Sequence, residues 1–384
     1  MIYSLFLIFG GAAVLATVAL YARQAMLLAY IAAGALFGPW GLDWVSNPDL
    51  IADISNIGIL FLLFLLGLNL EMSELVKLFR EAILVTALSC ILFALTGFGI
   101  AMLFSFNLTD SVLIGLAMMF SSTIIALKLL PTSALHHQRM GELIVSILLL
   151  QDILAILILI VLHGFGSGQG LVAETLILII GLPALVFLAW FVAKHVLTRL
   201  FSLFDQIQEY LFLVSIGWCL SLAELATLIG LSHEIGAFIA GVTLASSPIA
   251  RFLAESLKPL RDFFLVLFFF ALGAGFNIGG VMSVLVPAVI LAALSITLKP
   301  FVFQKLLQRE HEKAKMAHET GARLGQISEF SLLIMVVALQ LELLSERAGL
   351  LIQAATLISF AASSYWIVRT FPTPIATSPE LRRD

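Results

Sequence analysis

The chain has 384 residues, 61% of them hydrophobic and only 11% charged, with a mean hydropathy of +1.11. That is more apolar surface than a water-soluble domain of this length can bury, so a soluble fold is excluded and a multi-pass membrane protein is expected. The net charge of −4 sets no orientation, because topology follows where Lys and Arg fall.

Taken in chain order, the N-terminal stretch Met1–Tyr21 lacks the basic flank of a secretory signal and reads as a retained first helix. Further apolar runs follow at 25–41, 54–70, 82–104, 111–130, 141–162, 174–197, 210–230, 233–248, 262–277, 281–304, 322–341 and 347–368. This predicts an all-α polytopic protein of about thirteen transmembrane helices. Cys90 and Cys219 lie inside apolar runs with no metal-ligand spacing, so they are read as packing residues.

The connections test the count, since every second one should be basic. One set carries Arg23, then Lys77 and Arg80, Arg139, Lys194 and Arg199, Arg251 with Lys258 and Arg261, Lys305 to Lys315, and Arg369, Arg382 and Arg383. The other carries Asp43, Asp49, Asp53, Asp110, Glu174 and Glu342, with Arg347 its one clear cation. The expected placement is the cell inner membrane, with the N-terminus outside and the C-terminus cytoplasmic.

An odd count with the seventh span as a linker leaves two sets of six, the second an inverted copy of the first. The fifth helix of each set carries small polar residues where a plain span would be apolar. These are Ser121, Ser122 and Thr123 in one, and Gly325, Gln326, Ser328 and Glu329 in the other. Both are expected to be broken crossing helices, because unwound backbone at membrane depth is tolerated only around a polar cavity, and both breaks are expected to face one site.

The sixth span reads LIVSILLLQDILAILILIVL, and Asp152 is its single charge. An ionised Asp at a helix centre costs about 2.5–3.5 kcal/mol on insertion scales, so a residue retained there has a partner or a task. A buried carboxylate is a group for which a proton and a metal cation compete, and exchange needs that competition plus alternating access. Asp152 is therefore the expected carrier of an alkali cation and of the proton. Gln151 either lends a carbonyl oxygen to the cation or makes an interhelical hydrogen bond. Glu329 completes the cavity, relays protons or caps a half-helix, and Ser328 stands beside it. Ser121, Ser122 and Thr123 either coordinate the ion or allow close helix packing. Lys299, followed by Pro300, is either an internal counter-charge or a snorkelling lysine; Lys128 reads as a snorkeller. His136 and His137 read as residues of a solvated loop in preference to a pH sensor.

Several segments together resemble the membrane domain of Kef-type potassium/proton antiporters, in the monovalent cation:proton antiporter-2 family. They are GPWGL at Gly38–Leu42, LFLLGLNLEM at Leu63–Met72, SSTIIAL at Ser121–Leu127 and LLLQDILAI around Gln151. LSHEIGAFIAGVTLASSP at Leu231–Pro248, LKPLRDFFLVLFFFALGAGFN ending at Asn277 and GQISEFSLLI at Gly325–Ile334 follow in the expected order. The resemblance implies a sodium/proton antiporter-like fold and a homodimer in the lipid bilayer. It implies a dimerisation or scaffold domain over 1–80 and 207–278 and a mobile, elevator-like core over 81–165 and 279–370, with 166–206 as linker and 371–384 as cytoplasmic tail. Gln151 matches the Kef branch; where related branches place a second Asp, a lysine at the position of Lys299 pairs with it, and Gln151 removes that partner. Asn69 and Glu71 stand where the family places two acidic residues. Kef proteins usually continue into a cytoplasmic nucleotide-binding domain, so a separate or missing regulatory domain is expected.

The function expected from residues and resemblance together is monovalent cation/proton exchange, with potassium ahead of sodium as substrate and no resident cofactor. A cation channel and an ion-coupled solute symporter are the rivals from other classes. No nucleophile and base pair and no metal-ligand cluster points to an enzyme, and nothing points to a nucleic-acid partner.

Overall fold

The structure is a computed structural model that describes residues 2–22, 24, 26–45, 47–68, 72–130, 139–166, 180–204, 207–229, 231, 233–245, 247 and 250–373. Arg23, Asn69, Glu71, His136, His137, Glu174, Arg382 and Arg383 lie outside the described residues, as do the side chains of Lys77, Arg80, Lys128, Arg251, Lys258 and Arg261.

The chain forms α1 (Ile2–Tyr21), α2 (Met26–Phe37), α3 (Pro48–Leu68), α4 (Met72–Leu103), α5 (Leu108–Met118), α6 (Thr123–Lys128) and α7 (Arg139–Gly166). Then come α8 (Leu182–Val192), a π-helical turn at Ala193–Leu197, α9 (Thr198–Leu203), α10 (Gln208–Leu228), α11 (His233–Ala245) and α12 (Ala250–Ser256). The last helices are α13 (Lys258–Ala274), α14 (Ile278–Val281), α15 (Leu285–Arg309), α16 (Ala314–Arg323), α17 (Glu329–Gln340) and α18 (Glu346–Thr370). Among the described residues, eight helical stretches are long and apolar enough to cross a membrane, and five shorter apolar helices accompany them. Many large apolar side chains point outward, such as Leu103 at 75% exposure and Leu213 at 68%, which is stable only against lipid.

Two compact units are present. The first gathers Met1–Val45, Val76–Leu159 and Gly273–Asp384. Its core packs Phe93 of α4, Ala126 of α6, Ile144 and Ile147 of α7, Phe303 of α15 and Ala317 of α16, with Phe93 and Phe303 edge to face at 5.4 Å. α15 lies against α16 and α18, and at one point the backbones touch: a Cβ on Gly321 would sit 2.5 Å from the Pro300 carbonyl oxygen. Only glycine permits that approach.

The second unit gathers Ser46–Leu75 and Ile160–Leu272. α3 and α11 cross at Gly67 and Gly241, where a Cβ on Gly241 would stand 2.0 Å from the Phe64 carbonyl oxygen. Phe61 and Phe264 stack at 4.4 Å nearby. The π-helical turn between α8 and α9 goes with Thr198, whose backbone amide and hydroxyl both donate to the Ala193 carbonyl, the hydroxyl at 2.9 Å.

Several boundaries differ from the sequence reading, two of them widely. α4 starts at Met72, well before the apolar run at 82, and α16 starts at Ala314, inside the stretch read as a basic loop. At α4, polar residues of high helix propensity such as Glu74 and Lys77 carry the helix ahead of its apolar part, whereas α16 is a separate, largely polar helix, with Lys315 and Glu319, that ends at Arg323.

Candidate ion site

The first break follows from the run Phe-Ser-Ser. α5 ends at Met118, the chain leaves the helix, and Thr123 opens α6. Ser122 starts the new half-helix as a cap: its hydroxyl accepts from the Ile125 amide at 3.2 Å. The amide and carbonyl groups released by unwinding need partners at this depth. Gln151 supplies two of them. Its Oε1 accepts from the Ser121 amide at 2.8 Å, and its Nε2 donates to the Met119 carbonyl at 3.4 Å, with Cys90 Sγ at 3.9 Å.

The second break separates α16 from α17. Ser328 caps α17 in an extended conformation, its hydroxyl accepting from the Phe330 amide at 3.0 Å. Ser295 donates to the Gly325 carbonyl at 2.7 Å, and the Ile327 amide donates to Ser359 at 3.1 Å. Gln326 reaches across: its Nε2 donates to the Arg323 carbonyl at 2.9 Å and to the Ser122 carbonyl at 3.2 Å, while its Oε1 accepts from Ser363 at 3.0 Å. Ser121 closes the link from the other side by donating to the Leu324 carbonyl at 2.8 Å. Ser331 of α17 donates to the Ala117 carbonyl. The two breaks are thus hydrogen-bonded to one another.

Lys299 on α15 is 1% exposed and donates to one carbonyl from each break, Phe120 at 2.6 Å and Gln326 at 3.3 Å. Its ammonium also lies 5.2 Å from the centre of the Phe93 ring. The snorkelling alternative is therefore corrected: the side chain runs inward, because two carbonyl oxygens offer it better partners than the apolar surroundings.

Asp152 on α7 is also 1% exposed. Thr123 donates to its Oδ1 at 3.4 Å, and the amide of the next residue, Ile124, donates to Oε1 of Glu329 at 3.2 Å. Two carboxyl groups that are far apart in sequence therefore hang from consecutive residues at the start of α6. One oxygen of each, Asp152 Oδ2 and Glu329 Oε2, is buried without a hydrogen-bond partner among the described residues. Neither carboxyl group forms an ion pair there either. Oxygens of this kind suit a hard cation.

The candidate residues named from sequence, Ser121, Ser122, Thr123, Gln151, Asp152, Lys299, Ser328 and Glu329, all meet around the two breaks. The hydroxyls of Ser121, Ser122 and Ser328 are engaged with backbone groups. Sequence reasoning missed Ser295, Ser359, Ser363 and Arg323, which hold the second break from three helices. Ser359 and Ser363, one turn apart in an apolar helix, were the available signal.

Two interrupted helices locked together beside a buried carboxyl pair define the membrane domain of a secondary transporter. The chain belongs to the transmembrane sodium/hydrogen exchanger family, whose pattern residues 6–371 match. That family is one of transporters. Among curated proteins it is 30% identical over 356 residues to K(+) efflux antiporter 4 of Arabidopsis thaliana, covering 89% of this chain and 59% of the relative. It is 28% identical to K(+) efflux antiporter 5 of the same plant, covering 88% and 61%. It is 26% identical to the iron transporter MagA of Paramagnetospirillum magneticum, covering 90% and 80%. The chain thus spans about three fifths of the length of the potassium efflux antiporters it matches. Among solved structures, the sodium proton antiporter MjNhaP1 of Methanocaldococcus jannaschii superposes with a TM-score of 0.71 at 16% identity, over 95% of this chain and 94% of that one. The fold is therefore the sodium/proton antiporter fold.

Proposed function

We propose that this protein exchanges a monovalent cation for a proton, with potassium as the cation, and that Asp152 carries both. The observation that supports this most directly is the unpartnered Asp152 oxygen buried beside two broken helices. A proton or a dehydrated alkali ion can satisfy it, and each excludes the other. Thr123 and Glu329 contribute the remaining oxygens, while Gln151, Ser121, Ser122 and Ser328 shape the break. Potassium is favoured by the potassium efflux antiporters among the relatives and by Gln151 at the branch-marking position. Sodium is the second reading, favoured by the fold shared with a sodium proton antiporter.

The working arrangement we infer is a homodimer in the inner membrane with about thirteen crossings, the second set of six inverting the first. Residues 1–80 and 207–278 act as scaffold, residues 81–165 and 279–370 as an elevator-like core, and the basic connections face the cytoplasm.

The test is reconstitution in liposomes with an internal pH dye. Potassium pulses release protons in the wild type, and Asp152→Asn abolishes the signal while the protein remains folded. Release that persists in Asp152→Asn overturns the proposal, and a response to sodium alone transfers it to the second reading.

A further inference from the structure

Arg323 is fully buried at the last turn of α16, immediately before the second break. Its guanidinium joins three separate pieces of chain. Nη1 donates to the Leu129 carbonyl at 2.8 Å, just past the end of the half-helix α6. Nε and Nη2 hold Glu319 one turn back on α16 at 3.2 and 2.7 Å. Nη2 also donates to the Pro372 carbonyl at 2.8 Å, in the segment that leaves α18. That segment is packed in place: the Phe371 ring lies 5.9 Å from the guanidinium and 6.0 Å from the His318 ring, and Thr373 is fully buried.

The proximity of these contacts to the ion site gives them their consequence. α6 is six residues long, and its opposite end holds both carboxyl groups through Thr123 and Ile124. A displacement at Leu129 is passed along so short a helix almost rigidly. The Arg323 carbonyl receives Gln326, whose amide also grips the Ser122 carbonyl in the first break. One arginine thus touches both half-helices that frame the site, and the segment after α18 holds that arginine.

We infer that Arg323 is a positioning residue through which the segment Phe371–Thr373 sets the geometry of the Asp152 and Glu329 site. The inference rests on the proposed exchange function. A load on the segment following α18, from further chain or from a bound protein, reaches the carboxyl groups along this path and changes their affinity for the cation.

The experiment compares apparent KM for potassium and maximal rate in liposomes for Arg323→Gln, Arg323→Lys, Phe371→Ala and the double variant Arg323→Gln with Phe371→Ala. The expected result is a rise in apparent KM of about threefold or more in Arg323→Gln and in Phe371→Ala, with maximal rate per folded protein within about twofold. Partial recovery is expected in Arg323→Lys, which keeps the charge but offers a single donor nitrogen in place of three. The double variant is expected to be no worse than the poorer single one, because both cut the same path. Unchanged KM in the single variants, or effects that multiply in the double, overturn the inference. Should Arg323→Gln fail to fold, Arg323→Lys and Phe371→Ala with their double variant are read by the same criterion. Asp152→Asn run alongside keeps the two ideas apart: transport there sinks the exchange proposal, whereas a dead Asp152→Asn with unaltered Arg323 and Phe371 variants sinks only this one.

Discussion

The ammonium of Lys299 donates to the carbonyl of Phe120 at 2.6 Å, and it uses its remaining reach on Gln326, not on either carboxyl group of the site. A lysine placed in this way satisfies carbonyl oxygens freed by unwinding. It makes no hydrogen bond to Asp152 or Glu329 among the described residues. The sequence reading left Lys299 without its expected acidic partner, and the carbonyl pair supplies one of another kind.

Replacing Lys299 with Met strands both carbonyls at a cost of roughly 1–3 kcal/mol for each. The expected outcome is a clear fall in thermal midpoint in detergent. The counter-charge reading makes a different forecast, since removing the acid should then relieve the loss of the base. On the carbonyl reading, Lys299→Met combined with Asp152→Asn stays as unstable as Lys299→Met alone. Recovery of the midpoint in the double variant would return Lys299 to the role of counter-charge.

Gln151 offers a finer probe, because its two ends do different things. Gln151→Leu removes both and leaves the Ser121 amide and Met119 carbonyl buried without that partner. A loss of about 2 kcal/mol is expected, of the size usual for stranded buried groups. Gln151→Glu keeps the acceptor for Ser121 and replaces the donor to Met119 with an oxygen. It should retain more stability than Gln151→Leu when protonated at low pH and lose that advantage as pH rises. Thermal midpoints between pH 5 and 9 check this, and parallel curves for the two variants would show that the amide orientation is immaterial.

Much of this site was legible because polar residues stand out against an apolar background. Asp152 is the single charge in its span, and the clusters at 121–123 and 325–329 interrupt otherwise lipid-compatible runs, so both breaks were foreseen from composition alone. The partners of Lys299 were not legible, since they are backbone carbonyls 179 and 27 residues away, and a carbonyl leaves no trace in the side-chain sequence. Arg323 was passed over for a related reason. It stands at the very start of the span expected over 322–341, where a charge reads as the edge of a helix, and only the tertiary fold turns it inward to Leu129 and Pro372. Helix ends were poorly marked where polar turns continue an apolar run, as at Met72, and where a polar helix stands on its own, as at Ala314.

The close approach of α15 and α16 gives a steric prediction. A Cβ at Gly321 meets the Pro300 backbone carbonyl at 2.5 Å, whereas a Cβ at Gly325 meets the Pro300 ring at 2.9 Å. Backbone cannot withdraw as a side chain can. Gly321→Ala is expected to destabilise the protein whether or not Pro300 is also replaced. Gly325→Ala should regain part of its loss in the Pro300→Ala background, measured against Pro300→Ala itself. Equal behaviour of the two glycines would mean that the helices separate as rigid bodies.

At the other end of the same unit, Asp110 performs for the start of α18 what Arg323 performs for the end of α16. It is 4% exposed and accepts from the Ser345 amide at 2.9 Å, the Ser345 hydroxyl at 2.7 Å and Asn107 Nδ2 at 2.9 Å. Ser345 in turn caps α18 by accepting from the Ala348 amide at 3.2 Å. A carboxylate at the N-terminus of one helix thereby also caps a second, and both helix dipoles favour its negative charge. Asp110→Asn keeps the shape but turns one acceptor into a donor that faces Ser345, so a loss of roughly 2–3 kcal/mol is expected, typical of a charge-assisted bond. Ser345→Ala alone should cost about 1 kcal/mol for the cap. Because both act on one junction, the double variant Asp110→Asn with Ser345→Ala should lose less than the sum of the two, by at least about 0.5 kcal/mol. Thermal or denaturant midpoints in detergent measure the three variants. Strict additivity would show that Asp110 serves α5 alone and that the tie to α18 carries no energy.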